Sequence, residues 1–350
     1  MFFSLYSMTI KNKKLSRLQL LGLFVLVSAT IYILNHKNTP SAYNSIDGRI
    51  FGTLYNITYQ YNEDLKPDIE RELKQLDASL SPFNATSIIT KINNNEEVEV
   101  DTFFRKVFQR SMEVSEETDG AFDITVAPLV NAWNFGFKKG GSPTEAMIDS
   151  LLQITGYRKI TMQADSVIKQ DSHIMITCSA IAKGYACDVI GQLLDKKGIN
   201  NYMIDIGGEI VVKGKNSKKE LWHIGINKPI NDTLAINQEL QTILQLSDIS
   251  VATSGNYRNY YYKDGKRYAH TIDPHTGYPV EHNLLSATVI AQDCMTADAL
   301  VTAFMVMGLD KAKAFANTRP SIAAYFIYSD EEGEFNCWHT KNMEKYLGEE

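Results

Sequence analysis

From Gly52 to Tyr61 apolar and polar positions alternate, with Thr53, Tyr55, Ile57 and Tyr59 on one side, which predicts a strand with one buried face. The period then changes. Leu65 to Leu80 carries apolar residues at helical spacing and ends at Ser81-Pro82, and Phe103 to Thr118 predicts a second helix with Phe104, Val107, Phe108 and Met112 on one side. Ala180 to Lys197 predicts a third, with Val189, Ile190, Leu193 and Leu194 as its stripe and Gly198 as its stop. Tyr202–Ile206, Gly207-Gly208 and Glu209–Val212 predict strand, glycine turn, strand. Leu284–Ala291 predicts a strand, and Thr296–Met307 a mostly apolar helix terminated by Gly308. Ala323–Tyr328 and Phe335–His339 predict a closing hairpin around Asp330 to Gly333. Helices and strands mix without regular βαβ alternation, so the expected class is α+β, a single mixed α/β domain, and not a doubly wound sheet. No GxGxxG follows a strand, which leaves a Rossmann dinucleotide site unsupported.

The amino terminus follows a different pattern. Lys11, Lys13, Lys14 and Arg17 precede an uncharged apolar run from Leu18 to Leu34, close to the shortest helix that spans a bilayer core. Basic residues before such a run place the amino terminus in the cytoplasm and the rest of the chain outside it, at the inner membrane. A cleaved signal peptide, with Val27-Ser28-Ala29 as the cleavage region, competes with an uncleaved anchor. Ile31-Tyr32-Ile33-Leu34 continues the run past the small residues and favours the anchor. The expected organisation is a cytoplasmic basic segment (1–17), a transmembrane signal anchor (18–34), a linker (35–44) and one extracytoplasmic domain (45–350).

The chain has 350 residues, 44% of them hydrophobic, which is ample for a large core, and its net charge of −6 lacks the basic footprint of a nucleic-acid binder. A phosphate-bearing ligand would therefore be held by backbone amides, helix ends or a metal. The four cysteines, Cys178, Cys187, Cys294 and Cys337, have neither CxxC pairing nor zinc-finger histidines. Small buried residues are the preferred reading, with one disulfide as the alternative.

Four polar, glycine-bearing segments are candidates for chemistry. In Thr118–Asn131, Gly120 permits a tight turn; Phe122 could face a ligand ring while Asp123 accepts its N–H or O–H groups, or the segment is a capped turn before Pro128. In Ser179–Tyr185, small residues at a helix start suit an anion such as pyrophosphate with Lys183 beside it, or they simply pack helices. Ala252–Tyr260 and His270–Val280 carry His270 and His275, and His270 is either a general base or a hydrogen-bonded structural histidine. In Met295–Phe304, Asp298 and Thr302 lie four apart on one helix face among small or apolar neighbours. They suit Mg²⁺ as two hard oxygens, or Asp298 caps the helix.

Taken in order, these segments resemble the ApbE family of flavin transferases over about Phe51 to Gly308. Phe51-Gly52-Thr53 is similar to the family's M-G-T, and Leu80–Ser87 to its M-S-x-Y-x-x-x-S. Gly120–Asp123, Ala180–Tyr185, Asp205–Glu209, Thr253–Tyr260, His270–Pro274 and Ala297–Thr302 match directly. The resemblance implies a T-fold-like domain that binds FAD near Phe51, Phe83, Ala121, Phe122, Asp123, Thr177, Lys183 and Ile272. It implies Mg²⁺ held by Asp298 and Thr302 with main-chain oxygens of Ala180 and Val301. Phe51 stands where the family usually has Met, and Phe83 where it has Tyr. Thr177 opens Thr177-Cys178-Ser179-Ala180 where the family has D-L-[SG]-[AT], so a hydroxyl replaces an expected carboxylate contact to FAD.

The activity so implied is Mg²⁺-dependent transfer of FMN from FAD to a threonine hydroxyl of an acceptor protein, a membrane redox subunit, with release of AMP. His270 is the candidate base for the threonine proton. Two rival expectations keep the same site: an FAD pyrophosphatase that yields FMN and AMP, and a non-enzymatic FAD-binding protein.

Overall fold

A computed structural model describes residues 17–37, 42–138, 143–229, 239–256, 260–263 and 266–348. The chain divides into two units, Met1–Ala42 and Tyr43–Glu350. In the first, helix α1 (Arg17–Lys37) carries the expected apolar run, and its described side chains, residues 21–31, are exposed. Among the described residues no helix is long and apolar enough to cross a membrane. Lys11, Lys13, Lys14 and residues 38–41 of the expected linker lie outside the described residues, as do Tyr257, Arg258 and Asn259.

The second unit begins with the hairpin β1 (Tyr43–Ile50) and β2 (Thr53–Gln60), then α2 (Lys66–Leu80), α3 (Ile88–Asn93), α4 (Thr102–Glu117), α5 (Ala127–Ala132) and α6 (Glu145–Gln153). A small hairpin, β3 (Ile160–Gln163) and β4 (Ser166–Lys169), leads to α7 (Ala182–Lys196), β5 (Tyr202–Ile206) and β6 (Glu209–Lys213). The hairpin β7 (Trp222–Asn227) and β8 (Leu240–Leu246), β9 (Ile249–Gly255), and the hairpin β10 (Tyr260–Lys263) and β11 (Lys266–Ala269) follow. The chain closes with β12 (Leu284–Ala291), α8 (Cys294–Met307), α9 (Leu309–Asn317), β13 (Ala323–Ser329) and β14 (Phe335–His339). Tyr43 and Asn44, expected in the linker, already belong to β1. The Tyr43 hydroxyl donates to the Lys215 carbonyl at 2.6 Å and the Asn44 amide to the Tyr61 carbonyl at 2.7 Å, which fixes them to the domain.

Eight strands form one sheet in the order β1-β2-β5-β6-β9-β12-β13-β14, antiparallel at every pairing. One face packs on α2, α4, α7 and α8 in the larger core, which contains Ile57, Leu76, Phe104, Ile204, Val289 and Phe304. On the other face Ile210, Val212 and Val251 pack against Trp222, Ile226 and Leu244 of the β7–β8 hairpin. The class is mixed α and β, as the patterning predicts. Cys178, Cys187 and Cys294 are buried free thiols, and Cys337 is exposed.

Two tight turns meet at one end of the sheet. Phe51 and Gly52 (φ +50° and +77°) join β1 to β2, and Gly207 and Gly208 (φ +70° and +101°) join β5 to β6. Both are two-residue hairpin connections with both φ positive, the geometry that matches strand twist. The Gly207 N–H donates to the Leu54 carbonyl at 3.0 Å, which ties one turn to the other hairpin.

Candidate active site

A cleft of about 710 Å³ opens at this end of the sheet, a volume suited to a large organic ligand. Its lining brings together Phe83, Thr177, Ala180, Lys183, His270, Ile272, Asp298, Val301 and Thr302 from four separate stretches of chain.

Helix packing sets the polar part of the lining. The four N–H groups that open α8 are all engaged: Asp188 of α7 accepts from Cys294 and Met295 at 2.8 and 2.9 Å, Asp293 from Thr296 at 2.8 Å, and the Asp293 carbonyl from Ala297 at 3.3 Å. One turn on, Asp298 is almost fully buried, and its Oδ2 accepts from the Gly184 N–H at 2.9 Å. A Cβ on Gly184 would lie 2.3 Å from the Cys294 carbonyl oxygen, so only glycine lets α7 and α8 approach this closely. The Lys183 ammonium sits 2.7 Å from Glu209 Oε1 and 3.5 Å from Asp298 Oδ1. Burial alone would lower the Lys183 pKa, but Asp298 and Glu209 outweigh it and hold the ammonium charged. Burial pushes the Glu209 carboxyl up, Lys183 pulls against that, and Asp298 adds to the rise.

The lining also carries aromatic rings. Phe83, 63% exposed, meets Phe137 edge to face with centroids 6.5 Å apart, and the Phe135 ring stands 6.4 Å from the half-buried His270. Asn131 Oδ1 accepts from the Lys138 N–H at 3.0 Å and closes the loop that presents both phenylalanines. The Trp133 indole donates to the Gly277 carbonyl at 2.8 Å, joining that loop to the segment that holds His270 and Ile272.

Thr177 lies on the lining, where its hydroxyl hydrogen-bonds Ser179 Oγ at 2.9 Å and accepts from the Ser179 N–H at 3.2 Å. Phe51 sits at its hairpin tip, half-buried against the main core. Ala121, Phe122 and Asp123 stand behind the cleft wall, and none lines it. The Asp123 oxygens are taken: Oδ1 by the N–H and hydroxyl of Thr125 at 2.7 and 2.6 Å, Oδ2 by the Tyr157 N–H at 2.7 Å. Burial raises the Asp123 pKa and these bonds oppose the rise. Asp123 therefore caps the short turn Ile124–Val126 that carries Val126 and Ala127 to the lining. His275 clamps the same region, its Nε2 2.8 Å from the Asp119 carbonyl and its Nδ1 3.0 Å from Asp273.

The sequence reading did not single out Glu209, Phe135 or Phe137 as site residues. The alternation of aromatics and glycine in Phe135-Gly136-Phe137 was the available signal for the latter pair. For Glu209 the turn before it was visible, but its carboxyl reaches Lys183 only once the sheet packs on α7.

The donor set is compatible with a divalent cation: one carboxylate, one hydroxyl and carbonyls of residues that share the lining. Among the described residues no three His, Cys, Asp or Glu side chains form a metal cage, and a set with a single carboxylate does not require one.

A carboxylate, a hydroxyl and an ammonium on the lining of a cleft that also carries aromatic rings define a site for a phosphate-bearing aromatic ligand. Comparison with known proteins narrows that class. The ApbE family matches residues 51–326, and the chain belongs to it. It is 34% identical over 330 residues to the FAD:protein FMN transferase of Vibrio cholerae, covering 91% of this chain and 97% of that protein. It is 35% identical over 306 residues to that of Haemophilus influenzae, covering 83% and 87%. The fold superimposes on the flavin transferase ApbE from Vibrio cholerae with a TM-score of 0.80 over 88% of this chain and all of that one, at 34% identity. It also superimposes on the Pseudomonas stutzeri flavinyl transferase ApbE with a TM-score of 0.78, at 31% identity over 89% and 99%.

Proposed function

We propose that this chain is an FAD:protein FMN transferase that moves FMN from FAD to a threonine hydroxyl of an acceptor protein and releases AMP. The observation that carries this reading is the gathering of Lys183, Asp298 and Thr302 with Phe83, Phe135, Phe137 and His270 on the lining of one cleft. Relatives named for this transfer favour it over hydrolysis or simple binding.

Phe83, Phe137 and Ile272 offer apolar and aromatic surface to the flavin, while Lys183 offers a charge-assisted donor to the pyrophosphate. Asp298, the Thr302 hydroxyl and the carbonyls of Ala180 and Val301 would hold Mg²⁺. Bound there, the cation supplies Lewis-acid neutralisation of the pyrophosphate and of the departing AMP. His270 receives the proton of the acceptor threonine as its oxygen bonds to the FMN phosphorus and the bond to the AMP oxygen breaks.

The reading keeps the sequence expectation of a domain on the extracytoplasmic side of the inner membrane, with the apolar run Leu18 to Leu34 as its anchor and a membrane redox subunit as acceptor. Supporting it are the basic residues before Leu18 and the exposed apolar side chains from Leu21 to Ile31. Incubation with FAD, Mg²⁺ and a threonine-bearing acceptor should yield an acceptor band with flavin fluorescence under denaturing conditions. FAD binding with no such band overturns the activity, and a domain that protease cleaves in spheroplasts only after their lysis overturns the location.

A further inference from the structure

The Lys183 ammonium stands where charge balance calls for a cation. Its Nζ is 2.7 Å from Glu209 Oε1 and 3.5 Å from Asp298 Oδ1, and both carboxyls are buried. The other Asp298 oxygen already accepts from the Gly184 N–H, so Oδ1, the oxygen facing Lys183, is the freer of the two for a metal. Glu209 Oε2 is buried with no hydrogen-bond partner among the described residues, so Lys183 provides the main compensation for that carboxyl. The Gly207 turn leaves room for the lysine stem: a Cβ there would lie 3.3 Å from Lys183 Cδ.

We infer that Lys183 is a built-in stand-in for the divalent cation, and that Glu209 is the anchor that retains the lysine when the metal takes Asp298. Two buried carboxylates without a counter-charge are costly, so the metal-free site is held together by the ammonium bridging both. A metal that binds Asp298 must displace that ammonium. Glu209 then keeps the freed Lys183 at the site, where its unshared N–H groups meet the pyrophosphate of FAD. Metal and FAD therefore bind with positive coupling, since each supplies the partner that the other removes. This inference rests on the proposed reading of Asp298 as a magnesium ligand.

The test is calorimetric titration of Mg²⁺ into the FAD-free full-length protein. Lys183→Met should bind Mg²⁺ about tenfold more tightly or better, the effect of one removed charge beside a buried carboxylate. Glu209→Gln should weaken binding, because the lysine then leans on Asp298 alone, and that weakening should shrink in the double variant Lys183→Met/Glu209→Gln. Unchanged affinity in Lys183→Met overturns the stand-in, and strict additivity overturns the anchor. If Asp298→Ala binds Mg²⁺ as well as the parent, the metal reading itself fails, an outcome separate from these. A Lys183→Met chain that folds only with Mg²⁺ supports the inference. Should it fold in neither condition, wild-type crystals grown without and with Mg²⁺ decide: Nζ should leave Asp298 and keep Glu209, and an unmoved lysine overturns the proposal.

Discussion

The Gly184 N–H donates to Asp298 Oδ2 at 2.9 Å, and this bond joins α7 to α8 at the cleft. One partner lacks a side chain so that the other can come near. Gly184→Ala would place a methyl 2.3 Å from the Cys294 carbonyl oxygen and 2.8 Å from Asp298 Cβ. The helices must move apart, with an expected loss of about 1–3 kcal/mol. Thermal unfolding checks the stability, and transferase rate at a temperature where the variant is folded should fall as well. A variant with parental stability would show that the helices yield freely.

Asp298→Asn separates charge from shape. The amide oxygen still accepts from Gly184, so the fold should persist, while the anionic oxygen facing the cleft is lost. A drop of about 10²- to 10³-fold in FMN transfer is expected, the size seen when one group that stabilises transition-state charge is removed. Acceptor fluorescence against time measures it, and a rate within threefold of the parent would argue against a metal-ligating role.

Burial raises Asp188 to about 7; its bonds from the Cys294 and Met295 N–H groups oppose that rise, and the charges of Asp293 and Asp298 add to it. The unfolded value is about 3.9, so folding takes up a proton between these limits. Stability from this group therefore falls as pH rises from about 4 to about 7, then levels off. Urea unfolding of the parent and of Asp188→Asn across pH 4–8 should show the difference between them change over that window. A difference independent of pH would place the Asp188 titration elsewhere.

Phe83 is mostly exposed, so Phe83→Ala should leave stability within about 0.5 kcal/mol. Loss of an aromatic face against a flavin ring is worth about 0.5–1.5 kcal/mol, or a several-fold weaker affinity for FAD. Quenching of FAD fluorescence in a titration reads this directly. Equal affinities would remove Phe83 from the ligand surface.

His270→Asn should lower the transfer rate by about 10²- to 10⁴-fold with FAD affinity nearly kept, the signature of a lost general base. A parallel loss of FAD affinity would instead make His270 a binding residue.

Much of this was legible beforehand. The alternation in Thr53–Tyr59, the stripe Val189–Leu194 and the apolar strand Leu284–Ala291 each belong to the elements the pattern predicts, because burial of one face imposes the period directly. Asp298 and Thr302 were visible as a pair, since four residues make one helical turn. Asp123 shows the limit. Its neighbours in sequence announced a carboxylate beside an aromatic, but the partners that occupy its oxygens, Thr125 and Tyr157, include one that is 34 positions away. The β7–β8 hairpin over the second face of the sheet was not foreseen either: Trp222, Ile224 and Ile226 alternate, but the sheet face they cover is set by non-local packing.

Sequence by itself determined the alternation of elements, the glycine turns and the residue types that reach one end of the sheet, because these depend on local period and backbone freedom. Tertiary structure decided which of those residues share a cavity. Glu209 became a partner of Lys183, Gly184 a donor to Asp298 and Asp123 a cap behind the wall only when β6, α7 and α8 were packed, since hydrogen bonds and ion pairs depend on distances that chain order does not encode.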